Sequence, residues 1–126
     1  MSIYSRRLDL LSDHLSVAKP DELTPLPHLF IRRDYQADYN EAMLTHKRGI
    51  KIWHRRAGKD KDDWNAMIEA ACSLVGQYYY IFPTYSQAKK AIWEGRDKEG
   101  VAFLDHIPND RIIVKHNREL KIVLTN

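Results

Sequence analysis

Residues 50–61 read Ile50-Lys51-Ile52-Trp53-His54-Arg55-Arg56-Ala57-Gly58-Lys59-Asp60-Lys61, a short β-branched run followed by a basic loop. The alternation in residues 50–53 predicts a strand. The apolar residues beyond the loop have the spacing of a helix with one buried face: Trp64, Met67, Ile68, Ala71, Leu74 and Val75. A strand, a glycine turn, a lysine and a helix N-terminus are the parts of a phosphate-binding loop, because backbone amides and lysine then face the anion. The sequence therefore predicts a phosphate site at Gly58 and Lys59.

The loop departs from the pattern G-x-x-x-x-G-K-[ST] at two positions. Trp53 stands where the first glycine is expected, and Asp60 replaces the Ser or Thr that binds magnesium. A carboxylate is a good ligand for a hard cation, so Asp60 is a candidate Mg²⁺ ligand. An acid at this point also caps a helix N-terminus, and both interpretations of Asp60 stay open.

Positive charge is concentrated around this loop. The chain of 126 residues has a formal net charge of +3, but the window from His46 to Lys61 contains seven Lys or Arg residues and one acid. A local basic cluster on a near-neutral background favours an anion site over a surface that coats nucleic acid. A solvated basic face explains the same composition, and that alternative stays open.

Two helices are predicted before the loop, separated by a proline-rich segment. Apolar residues in 3–17 have roughly helical spacing, and the prolines that follow predict an extended linker, so we expect residues 1–27 to form an appendage. The second helix is predicted to run from Asp34, as N-cap, to Arg48, with Gly49 in the left-handed conformation after it.

Strands and a helix are predicted after the loop region. The β-forming run 78–82 predicts a buried strand. Thr84 with Gln87 three residues later predicts a capping box at the start of another helix. Residues 111–115 and 120–124 predict the two strands of a hairpin.

The order of these elements predicts an α/β fold over residues 28–126, with helices on the faces of a sheet. Several other classes are disfavoured. The single cysteine, Cys72, excludes an internal disulfide and a cysteine-based zinc site, and the histidines lack metal-ligand spacing. No apolar run approaches the roughly 20 residues that span a bilayer, and the N-terminus lacks an apolar signal segment. We therefore expect an intracellular protein that makes no membrane contact.

Three further motifs accompany the loop: Asp34-Tyr35-Gln36, Pro83-Thr84-Tyr85-Ser86-Gln87-Ala88-Lys89 and Ile92-Trp93. Together with Arg55-Arg56-Ala57-Gly58-Lys59 they resemble the ATPase domain of phage terminase large subunits, the motors that package viral DNA. The resemblance covers residues 30–126. It implies a P-loop NTPase-like sheet with flanking helices, of which this chain is the N-terminal part.

The resemblance implies a site for ATP and Mg²⁺ built from Tyr35, Gln36, Arg55, Arg56, Ala57, Gly58, Lys59 and Asp60. Lys59 corresponds to the Walker A lysine and Arg55 to the loop arginine near the γ-phosphate, so both are expected to be catalytic. Gln36 corresponds to the glutamine that hydrogen-bonds the adenine edge. Asp60 occupies the position of the Mg²⁺ ligand.

The family also implies what the whole protein does. Its Walker B Asp-Glu pair and its nuclease domain follow the hairpin, so we expect residues 28–126 to be half of an ATPase domain that is inactive alone. The full-length hydrolase and DNA endonuclease would move double-stranded DNA into the capsid, together with the portal and the small terminase subunit, in the host cell cytoplasm. An incomplete sheet also predicts homo-oligomers, because its edge is unpaired.

A second class of function fits the same residues. The chain would then be a small non-catalytic module. Its basic loop would bind either nucleic-acid phosphates or a terminase. Lys59 distinguishes the two classes, because a nucleotide site depends strongly on one lysine whereas a nucleic-acid face distributes its binding energy.

Overall fold

The computed structural model of the protein describes residues 22–125. These residues form three α-helices and one antiparallel hairpin: α1 (Asp34–Met43), α2 (Lys59–Ser73), α3 (Tyr85–Ala88), β1 (Ile112–His116) and β2 (Lys121–Leu124). A π-helical turn (Lys89–Trp93) continues α3, and two 3-10 turns, Phe103–His106 and Asn109–Arg111, lead into β1. Within residues 22–125 the hairpin is the only sheet, so the larger P-loop-like sheet stays a prediction.

Helix α2 lies at the centre of the apolar core. The core consists of side chains from α2, the π-helical turn and the segment around the first 3-10 turn: Trp64, Ile68, Ile92, Phe103 and Ile107. The indole Nε1 of Trp64 donates a 2.7 Å hydrogen bond to the carbonyl of Phe103, which satisfies the polar atom of a buried tryptophan.

The helix predicted from the apolar spacing after the loop is confirmed by α2. It ends at Ser73, where Leu74 adopts an extended conformation. Leu74 and Val75, which the pattern placed on the buried face, are therefore exposed.

Helix α1 ends at Met43 instead of the predicted Arg48. Beyond it, Thr45 Oγ1 and His46 Nδ1 lie 3.2 and 2.8 Å from the Ala42 carbonyl oxygen. Side chains that bond to the backbone in this way compete with the next helical turn, which explains the early end.

The predicted ends of α1 also differ from the observed ones. The N-cap is Arg33, and Asp34 is the first helical residue. Gly49 is not left-handed, since the glycines with positive φ among the described residues are Gly58 and Gly100. Because the helix has already ended, Gly49 does not serve as its C-terminal residue.

Residues 50–53 and 78–82 belong to no helix and no strand. Ile50 and Ile52 are 86% and 88% exposed, while Lys51 and Trp53 are partly covered, and the second segment alternates in the same way. A strand requires a neighbour that takes up its hydrogen bonds, and residues 22–125 place no such neighbour beside either segment. The two strand predictions are therefore wrong for the described residues, although the side chains alternate as in a strand.

The predictions for the residues after Pro83 agree better with the structure. Thr84 Oγ1 accepts a 3.2 Å hydrogen bond from the Gln87 amide, as a capping residue does, and α3 begins directly after it. The hairpin prediction is confirmed, with Ile112 opposite Leu124 and a register shift close to the start of β1.

The end of the proline-rich segment contacts the start of the hairpin. Both the amide and the hydroxyl of Thr24 donate 2.7 Å hydrogen bonds to Asp110 Oδ2. Arg111 in turn donates to the Thr24 carbonyl at 2.8 and 3.0 Å.

The helix predicted in residues 3–17 lies outside the described residues. Among the residues described, no helix has both the length and the apolar character to span a bilayer.

Candidate functional site

The basic loop between residues 53 and 59 has a tightly turned backbone. The Ala57 amide donates a 3.2 Å hydrogen bond to the His54 carbonyl, and Arg56 within this turn has φ +68°. Gly58 is the N-cap of α2 with φ +77°, a left-handed conformation that a glycine adopts without strain. The loop therefore delivers the chain directly into the first turn of α2.

The side chain of Gln36 lies beneath this loop. It is 2% exposed, and its Oε1 accepts a 2.8 Å hydrogen bond from the Arg33 amide. Its Nε2 donates to the carbonyls of Ala57 and Gly58 at 3.3 and 3.4 Å. A Cβ added to Gly58 would stand 3.1 Å from this nitrogen, so the glycine also permits the close approach. The structure thus brings Gln36 to the basic loop, and its expected contact with adenine stays a prediction.

Tyr35 contacts the same part of the loop. Its hydroxyl donates a 2.6 Å hydrogen bond to the Ala57 carbonyl and accepts one of 2.9 Å from Arg33 Nη1. Its ring meets Trp53 edge to face, with centroids 5.0 Å apart. The Asp34-Tyr35-Gln36 motif is therefore in contact with the loop through two neighbouring side chains.

The cations of the loop divide into two groups. Arg55, Arg56 and Lys59 are exposed, and none of them makes an ion pair with a residue between 22 and 125. Lys51 and Lys61, from the same basic window, are paired with acids and are largely covered. The free positive charge at the loop is thus concentrated on the three residues that the motif predicted.

A cleft of about 490 Å³ opens beside these cations. Its walls are residues 54–61 of the loop, residues 29–31 with Arg33 and Gln36, and residues 97–99 with Phe103. Apart from Tyr35, each residue expected in the nucleotide site lines this cleft. Its size lies within the range of about 300–1,000 Å³ that is typical of ligand pockets.

A second, larger groove lies on another side of α2 and has a volume of about 690 Å³. It runs between α2, residues 78–82 and strand β2, and most of its surface comes from apolar side chains. None of the three exposed cations lines it. The 490 Å³ cleft is therefore the candidate site for an anion.

Asp60 stands in the first turn of α2 at the edge of the cleft. It is exposed, and Tyr80 donates to its Oδ1 over a long distance of 3.5 Å. No group of three or more His, Cys, Asp or Glu side chains within residues 22–125 is placed to hold a metal ion. Because Mg²⁺ at phosphate sites often uses one carboxylate, the phosphates and water, Asp60 fits as a single ligand. Its position suits helix stabilisation equally well.

Sequence reasoning missed a buried carboxylate behind the loop. Asp62 is 0% exposed and accepts hydrogen bonds from Arg32 Nε at 3.0 Å, Asn40 Nδ2 at 2.9 Å and Lys51 Nζ at 2.6 Å. Burial lowers the pKa of Lys51, but its hydrogen bonds to Asp62 and Asp63 outweigh burial, so the pKa lies above its ordinary value. Asp62 thus joins α2 to α1 and to the segments on either side of α1, which contain Arg32 and Lys51.

Sequence reasoning also missed a second charged cluster, which forms one wall of the cleft. Lys61 Nζ lies 2.9 Å from Asp97 Oδ2, and His106 Nε2 lies 3.5 Å from the same oxygen. Burial raises the pKa of Asp97, but the hydrogen bond and charge of Lys61 together with the amides of Val101 and Glu99 outweigh burial, and the pKa falls to about 2. Asp97 Oδ1 also accepts from the Glu99 and Val101 amides, which shapes the turn that faces the loop.

No local pattern in the sequence indicates these clusters, because the ion pairs of Asp62 with Arg32 and of Lys61 with Asp97 join residues that are distant in sequence.

This chain matches no protein-family model, no curated protein and no solved structure. The resemblance therefore depends on the motifs themselves. Gln36 and the loop line the 490 Å³ cleft, whereas residues 83–89 and 92–93 do not.

Proposed function

We propose that this chain is the ATP-binding part of a motor ATPase of the terminase large-subunit type. The observation that supports the proposal is the grouping of Arg55, Arg56 and Lys59, all exposed and without acidic partners in residues 22–125, beside the N-terminus of α2 and a cleft of about 490 Å³. Helix N-termini attract phosphate through their unpaired amides, and the cations add to that attraction.

In this proposal different residues of the loop contact different phosphates of ATP. Lys59 and the first amides of α2 bind the β- and γ-phosphates, and Arg55 reaches the γ-phosphate. Asp60 provides one ligand to Mg²⁺, which neutralises charge on the phosphate oxygens when bound. Hydrolysis also requires a positioned water and further acidic groups, and the family places that Asp-Glu pair after the hairpin.

The wider role follows from the same family. The full-length protein would use ATP hydrolysis to drive double-stranded DNA into a capsid and would cut that DNA as an endonuclease. It would assemble with the portal, the small terminase subunit and further copies of itself, in the cytoplasm of the host cell. These activities and partners belong to the proposal together with the nucleotide site.

The test is a calorimetric titration with ATP and Mg²⁺ of the wild type, Lys59→Ala and Lys47→Ala. Lys47 is exposed but does not line the cleft, so its variant removes the same charge from the same basic window. We expect Lys59→Ala to weaken binding by about a hundredfold, because charge-assisted contacts to phosphate are lost. We expect Lys47→Ala to bind as the wild type does. A folded wild type that binds no ATP would contradict the proposal.

The second candidate function is binding to nucleic-acid phosphates. It is favoured by Lys47 and Arg48, which are also exposed and make no ion pair within the described residues. In that case each of the basic residues would account for a share of the affinity for a DNA duplex, and affinity would fall steeply with salt. Equal, partial losses for Lys47→Ala and Lys59→Ala would favour this function over the first.

A further inference from the structure

Two carbonyl groups of the phosphate loop face the same buried side chain. The oxygens of Ala57 and Gly58 both accept hydrogen bonds from Gln36 Nε2, and the Ala57 oxygen also accepts from the Tyr35 hydroxyl. Neither peptide unit is cis. In a planar trans peptide the N–H points away from the C=O, so the amides of Gly58 and Lys59 point away from Gln36.

This arrangement determines where the loop can hold an anion. Two successive backbone amides that point in one direction form an anion-binding concavity. The Gly58 carbonyl also accepts the Asp62 amide at 3.0 Å, the first hydrogen bond of α2. Gln36 therefore holds the peptide units that connect the loop to the helix in an orientation suited to phosphate.

The amide of Gln36 has no donor left for another partner. A glutamine amide has two N–H donors, and here they serve the Ala57 and Gly58 carbonyls, while Oε1 accepts from the Arg33 amide. The side chain is 2% exposed, so a nucleotide base in the cleft meets little of its surface. A base contact would require these hydrogen bonds to break, which leaves buried polar groups without partners.

We propose that Gln36 is a positioning residue for the phosphate loop, acting through the Ala57 and Gly58 carbonyls, and not a group that recognises adenine. The inference depends on the proposed function, since it assumes that the loop binds phosphate. According to this inference, Gln36 contributes to the binding of the triphosphate. Its effect on affinity is therefore the same whichever base the nucleotide has. Tyr35 takes part through its hydrogen bond to the same Ala57 carbonyl.

The test uses inorganic tripolyphosphate, which has the phosphates of ATP and no base. Binding of tripolyphosphate, ATP and GTP, each with Mg²⁺, is measured by calorimetry for the wild type, Gln36→Met and Tyr35→Phe. Gln36→Met keeps the length of the side chain and removes its donors, so we expect about a tenfold loss for all three ligands. Tyr35→Phe changes a partly exposed side chain and should show a smaller loss that is again equal for the three ligands.

The control for a purely structural effect is Asn40→Ala. Asn40 lies on the same helix and donates to the Gln36 carbonyl and to Asp62, but it does not contact the loop. Variants are compared after their unfolding midpoints have been measured. An Asn40→Ala variant of similar stability should bind tripolyphosphate as the wild type does, and an equal loss there would overturn the inference.

Two other results would also overturn it. If Gln36→Met keeps its affinity for tripolyphosphate but loses the difference between ATP and GTP, Gln36 recognises the base. If Gln36→Met changes neither the affinity for tripolyphosphate nor the difference between ATP and GTP, Gln36 has no role in the site. Should Gln36→Met not fold, Tyr35→Phe gives the same comparison of ligands. A wild type that binds none of the three would instead reject the proposed function, and the inference with it.

Discussion

Two faces of helix α2 are buried in opposite kinds of surroundings. On one face, Asp62 and Asn65 are buried together with the polar side chains of Gln36 and His106. On the other, the buried neighbours are apolar: Trp64, Ile68, Ile92, Phe103 and Ile107. Apolar packing stabilises without specifying direction, whereas buried polar groups require partners at fixed distances and angles. The polar face is the one that continues into the loop, so the precise geometry lies where a ligand would use it.

The largest expected effect comes from the polar face. Asp62→Ala leaves Arg32 and Lys51 partly buried without their shared carboxylate, so we expect a loss of about 3–5 kcal/mol in the free energy of unfolding. Chemical denaturation measures it. Asp63 also pairs with Lys51 but is far more exposed, and Asp63→Ala should cost no more than about 1 kcal/mol. Equal losses for the two variants would show that burial of Asp62 does not matter.

The apolar face should respond somewhat less. Ile68 is buried in the core cluster, and Ile68→Ala removes packed methyl groups and leaves a cavity, at a cost of about 3 kcal/mol. Leu74, just past the end of α2, is 70% exposed, and Leu74→Ala should change stability by less than about 0.5 kcal/mol. A larger loss for Leu74→Ala would mean that the end of this helix is covered in solution.

Acid should act on the polar face of α2 and not on its apolar face, with the smallest effect. Burial and the charge of Lys61 hold the pKa of His106 below its ordinary value of 6.5, so the unfolded chain takes up this proton at higher pH than the folded one. Stability should therefore fall as the pH drops below about 6.5. Between about 3.8 and 2, Asp97 adds a further loss, because its folded pKa is lowered.

The measurement is the free energy of unfolding between pH 7 and 5. We expect His106→Gln to reduce the slope in this range. His46→Gln, which changes an exposed histidine, should keep the slope of the wild type. An unchanged slope for His106→Gln would contradict the assignment to His106.

How much the sequence predicts depends on the distance between interacting residues. The periodicity of α2, the Thr84 cap and the hairpin depend on neighbours within a few positions, and these predictions are confirmed. The strands at 50–53 and 78–82 depend on pairing with distant segments, and that pairing is not formed within residues 22–125.

The same reason applies to the candidate site. The loop motif predicted the cations and the glycine turn at the start of α2, and these lie together at one cleft. The left-handed conformation was predicted for Gly49 and is found at Gly58 instead. The ion pairs of Asp62 with Arg32 and of Lys61 with Asp97 join residues 30 or more positions apart, and no local pattern reports such contacts. That the loop and its cleft form a nucleotide site stays a prediction.

The close approach of Gln36 to Gly58 has an evolutionary consequence. Since a Cβ at position 58 would lie 3.1 Å from Gln36 Nε2, and φ there is +77°, a change at one position alters what is tolerated at the other. Asparagine, which enters the left-handed region more readily than other side chains, is the first replacement to expect at position 58. We expect it to arise in lineages where residue 36 has already become shorter, so that the two positions would change as a pair.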